Sequence, residues 1–259
     1  MTNKKFTGFD LNIPKIAANL LKGKDAEKLY KAIEQNTSKF RENANLGFIN
    51  YQEGEIFGSN FFRNGQINYL LKNSGIRTAV PGDDINGDVF NLINGKFYTH
   101  FNAHIFHNKK PSHKRNEGLW IKVNELIEEI NGNVPAHGMI QGYYILPDNS
   151  EINYGVKIMP APNFEIIEDD RFSEKYKGRR FKTVDKIGLP PREELERNEG
   201  SRTFYTRADG LSTFCLNHLN ELDASDDDLI GYYNYDGRVV AVSDAESVAP
   251  QNFEVEKNN

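Results

Sequence analysis

The spacing of apolar residues changes several times along this 259-residue chain, and each change marks an element. In DAEKLYKAIEQNTSKFREN, Leu29, Ile33 and Phe40 recur near a helical period with Glu, Lys and Gln between them. That spacing predicts a one-sided helix with Asp25 at its N-cap, and Pro14 marks the first turn of an earlier one. From Leu46 to Phe106 the helical spacing gives way to short apolar runs broken by Asn64-Gly65, Asn86-Gly87 and Asn94-Gly95. Asn-Gly suits the positive φ angles of a two-residue turn, so FFRNGQINYLL and VFNLI-NG-KFYTHF both read as hairpins.

Residues 97–107, FYTHFNAHIFH, read as a strand with two distinct faces. Phe97, Thr99, Phe101, Ala103 and Ile105 form a face apolar enough for a core. Tyr98, His100, Asn102, His104 and Phe106 form the other. Further on, Trp120, Val123, Leu126, Ile127 and Ile130 make a helical stripe ending at Asn131-Gly132. A hairpin follows in HGMIQGYYILPDNSEINYGVKIMP, turning at Asp148-Asn149-Ser150.

Residues 160–200 are rich in Pro and charge, with weak periodicity, and read as a connector or extended arm. Beyond them RTFYTR suggests a strand, LSTFCLNHLNEL a helix, and LIGYYNYDGRVVAV a hairpin on Asp236-Gly237. The expected class is α+β: an antiparallel, hairpin-rich sheet with packed helices, an N-terminal helical segment and a small C-terminal helix-plus-hairpin unit. The expected division is 1–160 for helices and main sheet, 161–200 for the linker, and 201–259 for the small unit with its acidic tail.

Composition adjusts this outline. Hydrophobic residues make up 38% and mean hydropathy is -0.65, while aromatics reach 12%, so the core must lean on Phe, Tyr and Ile. The 30 asparagines suit a fold with many tight turns. A net charge of -5 and a pI near 5.8 argue against nucleic acid or an anionic membrane as partner and leave protein partners or self-association. The single cysteine, Cys215, excludes a disulfide framework and reads as a buried structural thiol three residues from His218. The N-terminus has no apolar leader region, and no run of 18 apolar residues occurs. The expected compartment is the cytoplasm, or a virion assembled there.

The sharpest chemical signal is histidine. Five of the six, His100, His104, His107, His113 and His137, fall within 38 positions. On a strand His100 and His104 stand about 13 Å apart, too far for one metal ion at zinc–nitrogen distances near ~2.1 Å. A metal reading therefore needs His137 to close on His104 or His107. If the five rings share a surface, their titrations should be coupled and some pKa values depressed by mutual repulsion. Asn102 and the basic loop residues Lys109, Lys114 and Arg115 are the candidate contacts for a phosphate-bearing substrate.

Other constellations fail on spacing. PGDDINGDV lacks the glycine and bidentate Glu of a calcium loop, and Glu151 and Lys157 stand too far apart for a metal-dependent nuclease. There is no Gly-rich phosphate loop, nucleophile elbow or HExxH. The leading expectation is a non-enzymatic structural or binding protein without a cofactor, part of a larger assembly such as a virus particle. The alternative is a histidine- or metal-dependent hydrolase using a divalent ion, with His100, His104 and His137 as catalytic candidates and His104, His107 and His137 as metal ligands.

Overall fold

The computed structural model describes residues 18–243 apart from 43, 45, 94, 208, 218, 220 and 224–233. The Pro14 helix, Asn94, His218 and most of the acidic tail lie outside the described residues. In chain order the elements are β1 (Asn19–Leu20), α1 (Gly23–Thr37), β2 (Asn50–Gln52), β3 (Glu55–Ser59), α2 (Phe61–Leu71), β4 (Ile76–Thr78), α3 (Asp88–Ile93) and β5 (Thr99–His107). There follow α4 (Glu117–Asn131), β6 (His137–Pro147), β7 (Val156–Glu168), β8 (Arg179–Phe181), α5 (Arg192–Arg197) and β9 (Arg202–Tyr205). The last are β10 (Leu211–Leu216), β11 (Glu221–Asp223), β12 (Asn234–Arg238) and β13 (Val240–Ser243). The mixture of helices and antiparallel-rich sheets is the expected α+β class.

The largest sheet has seven strands in the order β7-β6-β5-β10-β11-β9-β8, and only the β11–β9 pair is parallel. Two three-stranded sheets, β1-β13-β4 and β12-β3-β2, accompany it. The alternation read along β5 holds, and both of its faces are covered. Phe101, Ala103 and Ile105 join a core with Met139, Phe172 and Phe214. Phe106 on the opposite face joins Phe61, Phe62, Ile140, Tyr143 and Leu119. Gly142, at φ +67°, lies at a register shift in β6, and a Cβ there would sit 2.3 Å from the carbonyl oxygen of Asn163. That bulge brings Tyr143 and Ile145 onto the same face as Ile140.

Four readings are corrected. FFRNGQINYLL is helix α2 and not a hairpin. Asn60 caps it, accepting from the Arg63 amide at 2.8 Å, and Gly65 lets it lie close on β6, where a Cβ would meet Ile145 Cγ1 at 2.4 Å. VFNLI is helix α3, with Val89 and Ile93 buried one turn apart and the Phe90 amide held by Asp84 at 2.8 Å. LSTFCL is strand β10, buried at every position between β5 and β11, so it carries no alternation to read. Among the described residues Asp236-Gly237 is not a hairpin turn: both lie within β12, which pairs with β3, while β13 lies between β1 and β4. The helix on 117–131 and the β6–β7 hairpin are as expected, and Gly132 ends the former at φ +77°.

Position 160 falls inside β7, and the following segment contributes Phe172, Tyr176, Phe181, Leu189 and Leu195 to the core beneath β5 and β10. Arg171 in that segment is bonded to Asp169, Asp185 and the Pro190 carbonyl. Arg192 also pairs with Asp169, so part of the segment's basic charge is matched locally.

Candidate functional site

The histidine strand is a wall between two cores. His100 is 5% exposed, and its ring Nδ1 lies 3.3 Å from the hydroxyl of Ser59. His104 is fully buried with its ring 4.3 Å from that of Phe61, and neither ring nitrogen has a partner. Burial alone pushes His104 down to about 3, and burial first pushes His100 down to about 4. Both rings are neutral at physiological pH. The expectation of mutual repulsion is corrected here: desolvation, not a neighbouring charge, is the principal cause.

Helix α2 produces this environment. It covers the face that carries His100, Asn102 and His104, and it meets the strands through polar side chains. Asn64 Nδ2 donates to the His100 carbonyl at 2.5 Å, while Asn68 Nδ2 and Asn102 Nδ2 both donate to the Tyr143 carbonyl, at 3.1 and 3.0 Å. These bonds satisfy backbone groups at the helix–sheet junction, and they occupy Asn102 in support of the fold.

His107 and His137 are brought together. They are directly opposed across β5 and β6, with ring centroids 6.1 Å apart. His107 is buried and pushed down to about 4, first by desolvation and then by His137, while His137 is half-buried. His104 points to the opposite face of β5 from His107 and does not join them. Among the described residues no group of three or more His, Cys, Asp or Glu is placed to hold a metal ion. In the adjoining loop Lys109 and Lys114 are exposed, Arg115 lies 5.2 Å from the ring of Tyr154, and His113 Nδ1 accepts from the Arg115 amide. Cys215 is buried, as expected.

A second region has no counterpart in the sequence reading. The C-terminal half of α1, the described residues between Ser38 and Ile49, and Arg63 of α2 line an open cavity of about 810 Å3. This volume lies within the range of small-molecule sites. Its walls include Tyr30, Ile33, Phe40, Leu46 and Phe48, and exposed Glu34, Ser38 and Glu42 stand at its mouth.

Arg63 forms the floor, at 7% exposure. The cap places it there: Asn60 holds the Arg63 amide and also donates to the Leu46 carbonyl at 3.0 Å, tying α2 to the opposite wall. Every hydrogen bond of its guanidinium goes to a neutral oxygen. Nε and Nη2 donate to the Gly47 carbonyl at 3.1 and 3.0 Å, and Nη1 donates to Thr37 Oγ1 at 2.9 Å and to Gln66 at 2.8 Å. Burial lowers its pKa to about 10, which leaves it charged at neutral pH. Arg41 lines the same cavity, and its Nε and Nη2 are shut off from solvent without a partner. The Ser/Thr/Asn N-cap preference was the available signal for placing Arg63, in the triplet spacing from Asn60; nothing in the sequence singles out Arg41.

Among the described residues no helix is long and apolar enough to cross a membrane. No protein-family model matches the chain, and no curated protein or solved structure is significantly similar to it.

Proposed function

We propose that this chain is a non-enzymatic binding protein that works as part of a larger assembly, and that the cavity between α1 and the start of α2 is where it binds. The observation that carries this reading is Arg63, a charged guanidinium buried at a cavity of about 810 Å3 with neutral hydrogen-bond partners. Burying a charge without a counter-charge is costly, and strongly desolvated charged groups cluster at functional sites. The histidines, by contrast, serve the sheet: two are sealed under α2 as neutral rings, and a third is buried against β6.

Ligand-observed NMR with a fragment library tests the reading. Fragments are expected to bind the wild-type chain and to lose binding in Ser38→Trp, which places an indole at the exposed mouth without removing a buried group. Hits that survive Ser38→Trp, or a library with no hits, would overturn it.

A further inference from the structure

We infer that His107 and His137 together bind one divalent transition-metal ion of the class that prefers imidazole, copper, nickel or zinc, with water completing its coordination. The site shares no residue with the cavity, so it stands or falls independently of the binding reading above.

The backbone brings the two rings together. The His107 amide donates to the Gly210 carbonyl at 2.9 Å, and the Asn108 amide donates to the Ala136 carbonyl at 3.0 Å. His107 thus turns its own amide away from β6, and its pairing with His137 is of the non-hydrogen-bonded kind, in which opposed side chains stand closest. The ring centres lie 6.1 Å apart. Two imidazoles on one ion, each bound through a nitrogen at ~2.1 Å, stand with their centres about 5–6 Å apart. The half-buried ring of His137 has only to lean inward to meet that spacing.

A second observation concerns one nitrogen. His107 is 2% exposed, and its Nε2 has no hydrogen-bond partner. A ring nitrogen buried in that state is costly, and an ion is one of the groups that satisfies it. The nitrogens of His104 are unpartnered too, but that ring faces Phe61, which offers no ligand. His107 is also fixed in advance, because its carbonyl accepts from Trp120 Nε1 at 2.8 Å while its amide is held by Gly210. Asp209 adds negative potential at the ring, offset in part by Arg207, which pairs with it at 3.1 Å.

The ligand set selects the ion. Imidazole suits the later first-row divalent metals, whereas calcium and magnesium require several oxygens. Two protein ligands hold an ion less tightly than the four of a structural zinc centre, so binding should be micromolar, with copper ahead of nickel and zinc.

Trp120 is the single tryptophan of the chain, and its bond to His107 makes it a reporter of the site. Copper(II), a paramagnetic quencher, titrated into the untagged full chain is expected to quench Trp120 fluorescence and to saturate at one equivalent. Calcium should neither quench nor compete. His137→Ala should weaken copper binding about ten-fold or more. His107→Phe, which keeps a ring in the buried space, should do the same, with the melting temperature recorded to confirm folding. His113→Ala, in the adjoining loop, should bind as the wild type does. No quenching of the wild type, or quenching undiminished in His137→Ala, would overturn the assignment. Equal losses in His113→Ala and His137→Ala would place the ion on the loop and overturn it as well.

Discussion

Helices α2 and α4 both pack on the face of the large sheet that carries Phe106, Ile140 and Tyr143, yet they are built in opposite ways. Helix α4 buries Leu119, Val123 and Ile127 and leaves Ile121 and Ile130 in solvent. Helix α2 is buried nearly all round, with Arg63, Asn64, Gln66 and Asn68 among its covered residues. A one-sided helix shows a period because water defines its other side. A helix closed in on every side has no such contrast, and its polar residues are there to bond the strands beneath. The comparison teaches that this protein keeps much of its polarity inside.

The largest expected difference between the two helices comes from Phe61, whose ring touches Phe62, His104 and Tyr143. Phe61→Ala should cost about 3–5 kcal/mol in urea unfolding, whereas Ile130→Ala on α4 should stay within about 0.5 kcal/mol. Equal costs would mean that α2 is not the sealed element.

Acid should sharpen the same contrast. The rings of His100, His104 and His107 stay neutral in the folded chain down to about 4, 3 and 4, while their unfolded counterparts protonate near 6.5. Between those limits the unfolded state binds more protons. The stabilisation from neutral rings is complete above about 6.5 and is lost progressively as pH falls toward the folded values. Each ring contributes up to about 1.4 kcal/mol per pH unit within that window. His104→Phe, which keeps a ring against Phe61, should remove one such contribution and flatten the slope of stability between pH 6 and 4. An unchanged slope in chemical denaturation at stepped pH would show that His104 takes up no extra proton on unfolding.

The smallest effect distinguishes two glycines. Gly65→Ala forces a Cβ to 2.4 Å from Ile145 and should cost about 1–3 kcal/mol, with Ile145→Ala in the same chain recovering part of it. Gly132→Ala has open space around it and only the left-handed φ of +77° to oppose it, at about 1–2 kcal/mol. Only the first cost should depend on Ile145, and thermal unfolding of each glycine variant with and without Ile145→Ala, beside Ile145→Ala alone, checks it.

What was legible follows from the same physics. The α4 helix and the β6–β7 hairpin were readable because solvent or a tight turn leaves a periodic mark, and β5, though covered on both faces, because its aliphatic and polar side chains still alternate. Strand β10 was not, since its six covered residues place Leu211, Phe214 and Cys215 at a helix-like spacing and its partner β5 lies about a hundred residues away. The Asn64-Gly65 pair misled because its glycine serves close packing against β6 and its asparagine reaches the His100 carbonyl, where a turn would have used both for positive φ. At the candidate site the sequence drew attention to histidine, the residue with the most familiar chemistry. Arg63 from α2 and Arg41 from the stretch after α1 line one cavity, a tertiary arrangement with no local signature.

Strand β5 sits between β6, which follows within the next forty residues, and β10, which arrives roughly a hundred residues later. At a synthesis rate of about 5–20 residues per second, the β5–β6–β7 hairpin can form while the β10 side of β5 waits on the order of 5–20 s for its neighbour. During that interval the nascent chain presents a row of open backbone donors and acceptors along Thr99–Phe106. Birth, more than the finished state, is therefore where this protein is most exposed to mispairing, and slowing the ribosome between codons 107 and 211 should lower the yield of native chain.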